Sequence, residues 1–254
     1  MSSVVAIIPA RYGSTRLPAK PLVDLCGKPM IQRVYERTSK ASHVDKVIVA
    51  TDHEEIVRVV KNFGGDVMMT PADLRSGTDR VAFVAKSLAE AEIVVNVQGD
   101  EPLIEPQMID RTIEPLLKDR SITTGTPVKK ITDGDDLLNP GIVKVVLDKD
   151  GFALYFSRSP IPFARDRGEP GQWVNQHTYY KHIGLYVFRK DFLLKYATWS
   201  ETPLERMEKL EQLRILENGY RIKAVVTEFD SIPIDTQDDV DKVRAKLVEQ
   251  KTND

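Results

Sequence analysis

Short apolar runs and stretches of helical periodicity alternate along the first half of the chain. Residues 4–8 are rich in β-branched side chains and predict a buried strand, which the chain leaves at Pro9. Residues 28–42 put Ile31, Val34, Tyr35 and Thr38 on one face, with Pro29 in the first turn, and read as a helix. Residues 46–50 predict a second strand. Thr51 and Asp52 follow as cap-type residues before a helix over 53–63, which Gly64 and Gly65 stop. The same reading gives a strand at 66–69, a helix at 77–91, a strand at 93–97 and a helix at 106–117. Strand–helix alternation with short connections predicts a Rossmann-like, mostly parallel α/β sheet with helices on both faces.

From 121 to 163 the rhythm changes. TGTPVKK, IVKVVLD and FALYFSR read as strands with hairpin-like breaks, one of them at 148–151, and predict an antiparallel extension of the sheet. Residues 165–176 form a polar, Gly- and Pro-containing loop, either a lid or a surface connection. The pattern then gives a strand at 182–188, a helix at 191–196, a helix at 203–218 closed by Gly219, and a strand at 221–227. A last amphipathic helix runs over 236–250, with Thr236 and Asp239 in a capping-box relation. The whole of 1–254 reads as a single domain, with 121–163 as its extension.

Composition narrows the function classes. Of 254 residues, 41% are hydrophobic and 29% charged, as in an ordinary globular protein, and the net charge of −2 offers no global attraction for nucleic acid or membrane. One cysteine, Cys26, excludes an intrachain disulfide and a multi-cysteine metal site; it reads as a packing residue. The N-terminus shows no signal-peptide pattern and no run is long enough to span a bilayer, so a cytoplasmic location is expected.

The basic chemistry is local. The loop after the first strand carries Arg11, Arg16 and Lys20 around Gly13, Ser14 and Thr15, with no acid. Cations among small residues with free N–H groups suit a polyanion such as a triphosphate, and they equally suit a solvated basic loop. Neither the P-loop nor the dinucleotide glycine fingerprint is present. Asp100 follows the fourth strand on the same sheet edge, and Asp235 sits before the final helix. Two carboxylates beside a phosphate-binding loop meet the needs of Mg²⁺; a turn role for Asp100 and a cap role for Asp235 stay open.

IPARYGSTRLPAKPL, followed in order by DHEEI, SGTDR, NVQGDEPLI, VKVVLD, ALYFSRSPIPF, YKHIGLYVFR, LEQLR and IDTQDD, resembles the 3-deoxy-manno-octulosonate (Kdo) cytidylyltransferases of lipopolysaccharide biosynthesis over nearly the whole chain. The resemblance implies a homodimeric enzyme that converts CTP and Kdo into CMP-Kdo and pyrophosphate with Mg²⁺. It implies that Arg11, Ser14, Arg16 and Lys20 hold the triphosphate, with Arg16, Lys20 and Asp100 catalytic and with Asp100 and Asp235 as metal ligands. Ser76, Gly77, Thr78 and Arg80 are implied at the nucleotide. Gln98, Arg158, Arg165, His182, Tyr186, Glu211 and Gln212 are implied at the sugar acid. Where many relatives have Glu this chain has Asp79, to which no contact is assigned. From the residues alone, His182 reads as a packed histidine, and Arg158 and Arg165 as exposed or interface cations. Glu211 shares a helical face with Met207 and Ile215, so its carboxylate needs a partner. A synthetase for another acidic sugar (8-amino-Kdo or sialic acid) and a non-catalytic nucleotide-binding regulator are the alternatives.

Overall fold

The computed structural model describes residues 3–13, 17–166 and 168–253, with the side chains of 250–253 left aside. In chain order its elements are β1 (Ser3–Ala10), α1 (Met30–Thr38), β2 (Lys46–Thr51), α2 (Glu54–Asn62), β3 (Asp66–Met69), α3 (Gly77–Ser87), β4 (Ala91–Asn96) and α4 (Pro106–Lys118). Then come β5 (Thr124–Ile131), α5 (Gly134–Leu138), β6 (Lys144–Leu147), β7 (Ala153–Ser157), β8 (Tyr179–His182), β9 (Tyr186–Arg189) and α6 (Lys190–Tyr196). The chain closes with α7 (Pro203–Glu208), α8 (Leu213–Glu217), β10 (Lys223–Thr227) and α9 (Gln237–Asn253). It divides into two compact units: Met1–Asp110 with Arg189–Ala197 and Ser231–Asp254, and Arg111–Phe188 with Thr198–Asp230.

In the first unit the strands are all parallel, in the order β3-β2-β1-β4. The chain steps outward from β1 to β2 to β3 and then returns across to β4. With right-handed crossovers, that reversal puts α1 and α2 on one face and α3 on the other. It also makes the β1/β4 boundary the topological switch point, where a crevice opens beyond the strand ends. The strands read as continuous apolar runs because both faces are covered: Ala6, Ile7, Ile8, Ile93, Val94 and Val95 have no solvent exposure. Each such Ile or Val contributes about 1.5–3 kcal/mol on burial.

Strand β1 does not stop at Pro9; Pro9 pairs with Ala50 and Ala10 with Thr51. In a parallel ladder alternate residues address opposite neighbours. Ile7 addresses β4, since its carbonyl accepts from Val97, so Pro9 has the same parity. The β4 ladder ends at Ile7, and the missing N–H of Pro9 therefore falls where no partner waits. The cap of α2 is His53, whose Nδ1 accepts from the Glu55 N–H, and not Thr51 or Asp52. Gly64, at φ +80, ends that helical segment as expected. Helix α9 starts in the predicted capping box: Thr236 Oγ1 accepts from Asp239 N, and Asp239 Oδ2 accepts from Thr236 N. Its Val240, Val243 and Leu247 pack with Leu25, Met30, Leu103 and Ile234, and Cys26 lies against this cluster as a packing residue.

The second unit is mainly antiparallel, as the changed rhythm predicts, with one parallel pair, β5–β10. The 182–188 strand is interrupted. β8 pairs with β5 from Val128↔His182 and β9 from Gly125↔Val187, so Ile183, Gly184 and Leu185 bulge out between them. β6 pairs with both β7 and β8. The 203–218 helix is likewise two helices, because Lys209 adopts a left-handed conformation at φ 55 and closes α7. Glu211 consequently lies in the turn before α8, and Met207, 82% exposed, contributes no apolar face to it. Glu205 and Arg214 form a buried ion pair that ties α7 to α8, with Arg214 Nε donating to Glu205 Oε2 at 2.7 Å.

Candidate active site

A cleft of about 360 Å³ opens at the switch point of the first unit. Its walls are Pro9, Ala10, Arg11 and Gly13 after β1, Gln98, Gly99 and Asp100 after β4, Gly77 at the start of α3, and Lys20, Pro21 and Asp235. Backbone proximity shapes it. A Cβ on Gly99 would stand 2.7 Å from the Pro9 carbonyl oxygen, so only glycine lets the post-β4 loop lie against β1.

Lys20 is the electrostatic centre. Its Nζ donates to Asp100 Oδ2 at 2.7 Å and to Asp235 Oδ1 at 2.9 Å, with the lysine side chain 15% exposed. Burial opposes the charge on Lys20, but the two carboxylates more than offset it and hold its pKa above the usual lysine value. The Ile234 N–H donates to the Asp100 carbonyl at 3.0 Å, which fixes the backbone of Asp235 beside Asp100 across a long sequence separation. Asp100 and Asp235 therefore converge on one point that accommodates a cation.

Arg11 is exposed on the rim, with Nη2 donating to the Leu74 carbonyl. Its neighbour Tyr12 stacks on His53 at 3.7 Å between ring centroids, and Glu55 pushes the Tyr12 hydroxyl pKa up. Ser14 and Arg16 lie outside the described residues. Ser76 caps α3 by accepting from Asp79 N. Thr78 is buried and accepts from Asn96 Nδ2, and Asn96 in turn accepts from Gln98 Nε2, each at 3.3 Å. That relay fixes the Gln98 amide at the cleft wall. Asn96 was not singled out from the sequence, although one amide within the apolar run IVVNV is a signal of such a role. Arg80 is completely buried: it donates to Asp52 Oδ2 at 2.9 Å, to Thr70 Oγ1 and to the Pro71 carbonyl, and it is not part of the cleft wall. Burial pulls the Arg80 pKa down; Asp52 works against that and Arg11 adds to it. Asp79 pairs with Arg75, whose Nη2 reaches the Ala197 carbonyl.

In the second unit the residues implied at the sugar acid separate into differing environments. His182 packs edge-on against Phe156 at 5.2 Å and tilted against Tyr186 at 5.3 Å. Desolvation pulls its pKa down to about 3, so it is neutral at physiological pH. The Arg158 guanidinium is held by the carbonyls of Glu208, Pro140 and Lys209. Glu208, not marked from the sequence, clamps the end of β7 by accepting from Ser157 Oγ and Arg158 N. Arg165 is 89% exposed and faces Asp166 at 3.5 Å. Gln212 is buried, and its Nε2 has no hydrogen-bond partner among the described residues.

A parallel unit with a basic, carboxylate-bearing cleft at its switch point is built for a nucleotide, and the sequence profile of the Cytidylyltransferase family matches residues 5–223. Among curated proteins the chain is 55% identical to a 3-deoxy-manno-octulosonate cytidylyltransferase of Geobacter metallireducens, across 96% of this chain and 97% of that one. It is 51% identical to the Trichlorobacter lovleyi protein of the same name, across 96% and 98%. A solved structure of CMP:2-keto-3-deoxy-manno-octonic acid synthetase complexed with CTP superposes with a TM-score of 0.91 at 40% identity, covering 98% of this chain and all of the other. The chain belongs to the 3-deoxy-manno-octulosonate cytidylyltransferase family and is a nucleotidyltransferase of nucleotide-diphospho-sugar transferase fold. No described helix is long and apolar enough to cross a membrane.

Proposed function

We propose that this enzyme activates Kdo for lipopolysaccharide biosynthesis: the anomeric hydroxyl of Kdo attacks the α-phosphate of CTP, giving CMP-Kdo and pyrophosphate. The observation that carries this reading is the convergence of Lys20, Asp100 and Asp235 in the switch-point cleft below the basic loop. Kdo in place of 8-amino-Kdo or sialic acid is favoured by the names of the relatives at 51–55% identity. A silent regulator has no need of a carboxylate pair poised around a cation.

The residues fit Mg²⁺. Two carboxylates already share one cation, and no group of three or more potential ligands occurs among the described residues. Mg²⁺ is ordinarily held by one or two carboxylates plus phosphate oxygens and water, so Asp100 and Asp235 suffice. Held by Asp100 and Asp235, the metal would supply neutralisation of phosphate charge and would lower the pKa of the attacking hydroxyl. Lys20 and Arg16 stabilise the charge that develops on the departing pyrophosphate, and Arg11 and Ser14 hold the triphosphate in line. Ser76, Gly77 and Thr78 bring the start of α3 to the nucleotide. Gln98, with Arg158, Arg165, His182, Tyr186 and Gln212, supplies the sugar acid with cations and amide or ring partners, and the Glu211 carboxylate accepts from a sugar hydroxyl. A cytoplasmic homodimer completes the reading, since CTP is a cytoplasmic substrate.

Pyrophosphate release measured with each of the four nucleoside triphosphates, with and without Kdo, tests the reaction. Release requiring both CTP and Kdo is expected; CTP binding without Kdo-triggered release overturns the sugar assignment. Asp100→Asn should lower turnover by about 10³-fold or more with the fold intact, while near-normal turnover would sink the carboxylate's role.

A further inference from the structure

The bulge between β8 and β9 is held by one side chain, Thr126 of β5. Its hydroxyl is fully buried and lies 2.7 Å from the Leu185 carbonyl oxygen, 3.3 Å from the Ile183 carbonyl oxygen and 2.9 Å from His182 Nε2. A hydroxyl has one proton to donate. Both carbonyls only accept, and the shorter contact is to Leu185, so the Thr126 proton goes there. The imidazole must then donate into the remaining lone pair of Oγ1. Were His182 Nε2 the acceptor, it would take that proton and leave Oγ1 pressed against Leu185 O without a hydrogen between them. The neutral ring carries one N–H, and it sits on Nε2. Nδ1 is left as a bare acceptor and makes no hydrogen bond among the described residues.

We infer that Thr126 is a positioning residue that locks His182 in the Nε2–H tautomer, so that Nδ1 selects a hydrogen-bond donor on the sugar acid, a hydroxyl, and turns away its carboxylate. The inference rests on the reading that His182 faces the sugar. The chemistry is one of exclusion: a neutral acceptor gains a hydrogen bond from a hydroxyl and meets only repulsion from an anionic oxygen. The low pKa of His182 removes the alternative of an imidazolium that could attract the carboxylate. The second donor that an untethered ring could offer by tautomer exchange is removed by Thr126.

The test uses the full chain with ¹⁵N-labelled histidine. Long-range ¹H–¹⁵N correlation spectra without substrate should show a pyrrole-type Nε2 and a pyridine-type Nδ1 for His182. Thr126→Ser keeps the hydroxyl and should keep that pattern. Thr126→Val keeps the shape, loses the acceptor and should lose the single-tautomer pattern. In steady-state assays Thr126→Val should raise the KM for Kdo about tenfold with the KM for CTP unchanged, and Thr126→Ser should stay within about twofold of the parent. An Nδ1–H tautomer in the parent, or an unmoved KM for Kdo in Thr126→Val, overturns the inference. His182→Ala separates the two ideas. If that variant also leaves the KM for Kdo unmoved, the placement of His182 at the sugar fails too; if it raises it, the role of Thr126 alone fails.

Discussion

Single residues in this protein are set by what their charges and protons meet. His182 is the clearest case. Its folded pKa of about 3 lies below the ordinary histidine value of 6.5, so the unfolded chain takes up the proton first. The stability this residue contributes is whole above pH 6.5 and is lost as pH falls toward 3. An NMR titration should therefore show no protonation of His182 between pH 5 and 9, and a midpoint near 6.5 would refute the desolvated, neutral ring. Lys20 shows the opposite balance: the carboxylates at 2.7 and 2.9 Å retain its charge. On the proposal that Asp100 and Asp235 hold Mg²⁺, Lys20 would compete with the metal for the same oxygens in the substrate-free chain. Lys20→Met should tighten Mn²⁺ binding without nucleotide by about tenfold, read by paramagnetic titration, while lowering turnover by about 10²–10³-fold. Unchanged Mn²⁺ affinity would show that the lysine does not compete.

Individual elements were legible where a local rule decides and illegible where a distant partner does. The capping box at Thr236 and Asp239 and the stop at Gly64 follow from local chemistry, and both stand where the sequence puts them. The continuation of β1 through Pro9 does not, because it depends on the pairing with β4 having ended at Ile7. The split of 203–218 depends on a left-handed lysine that no propensity marks. Glycine carries the corresponding prediction. Gly99→Ala sets a methyl 2.7 Å from the Pro9 carbonyl oxygen and should cost about 1–3 kcal/mol of stability in denaturant unfolding, with loss of activity beyond that. Tolerance of alanine would mean that the post-β4 loop can retreat. The polar 165–176 loop, read as a lid or a surface connection, is anchored at its far end: Trp173 is buried with Ile131, Leu137 and Tyr179, and its Nε1 donates to the Gly168 carbonyl. The nearer part, around the exposed Arg165 and Asp166, is where the polar character lies.

For the molecule as a whole, the proposed homodimer draws support from exposed apolar side chains on two strands. Leu154 of β7, in the antiparallel extension, is 59% exposed, and Val226 of β10, outside it, is 53% exposed. Sedimentation equilibrium should give twice the chain mass, and Leu154→Glu should shift it toward the monomer; a parent chain of single mass would remove the proposal. The sequence by itself determined the alternation of elements, the change of rhythm at 121, the basic loop and the two aspartates, because periodicity and turn chemistry act over a few residues. Its motifs also determined the family. Only the tertiary structure decided that Lys20 stands between Asp100 and Asp235, that Arg80 is buried on Asp52 away from the cleft wall, and that Thr126 governs the ring of His182. Those pairings join residues 28 to 215 positions apart, and no local pattern records which distant group a side chain will meet.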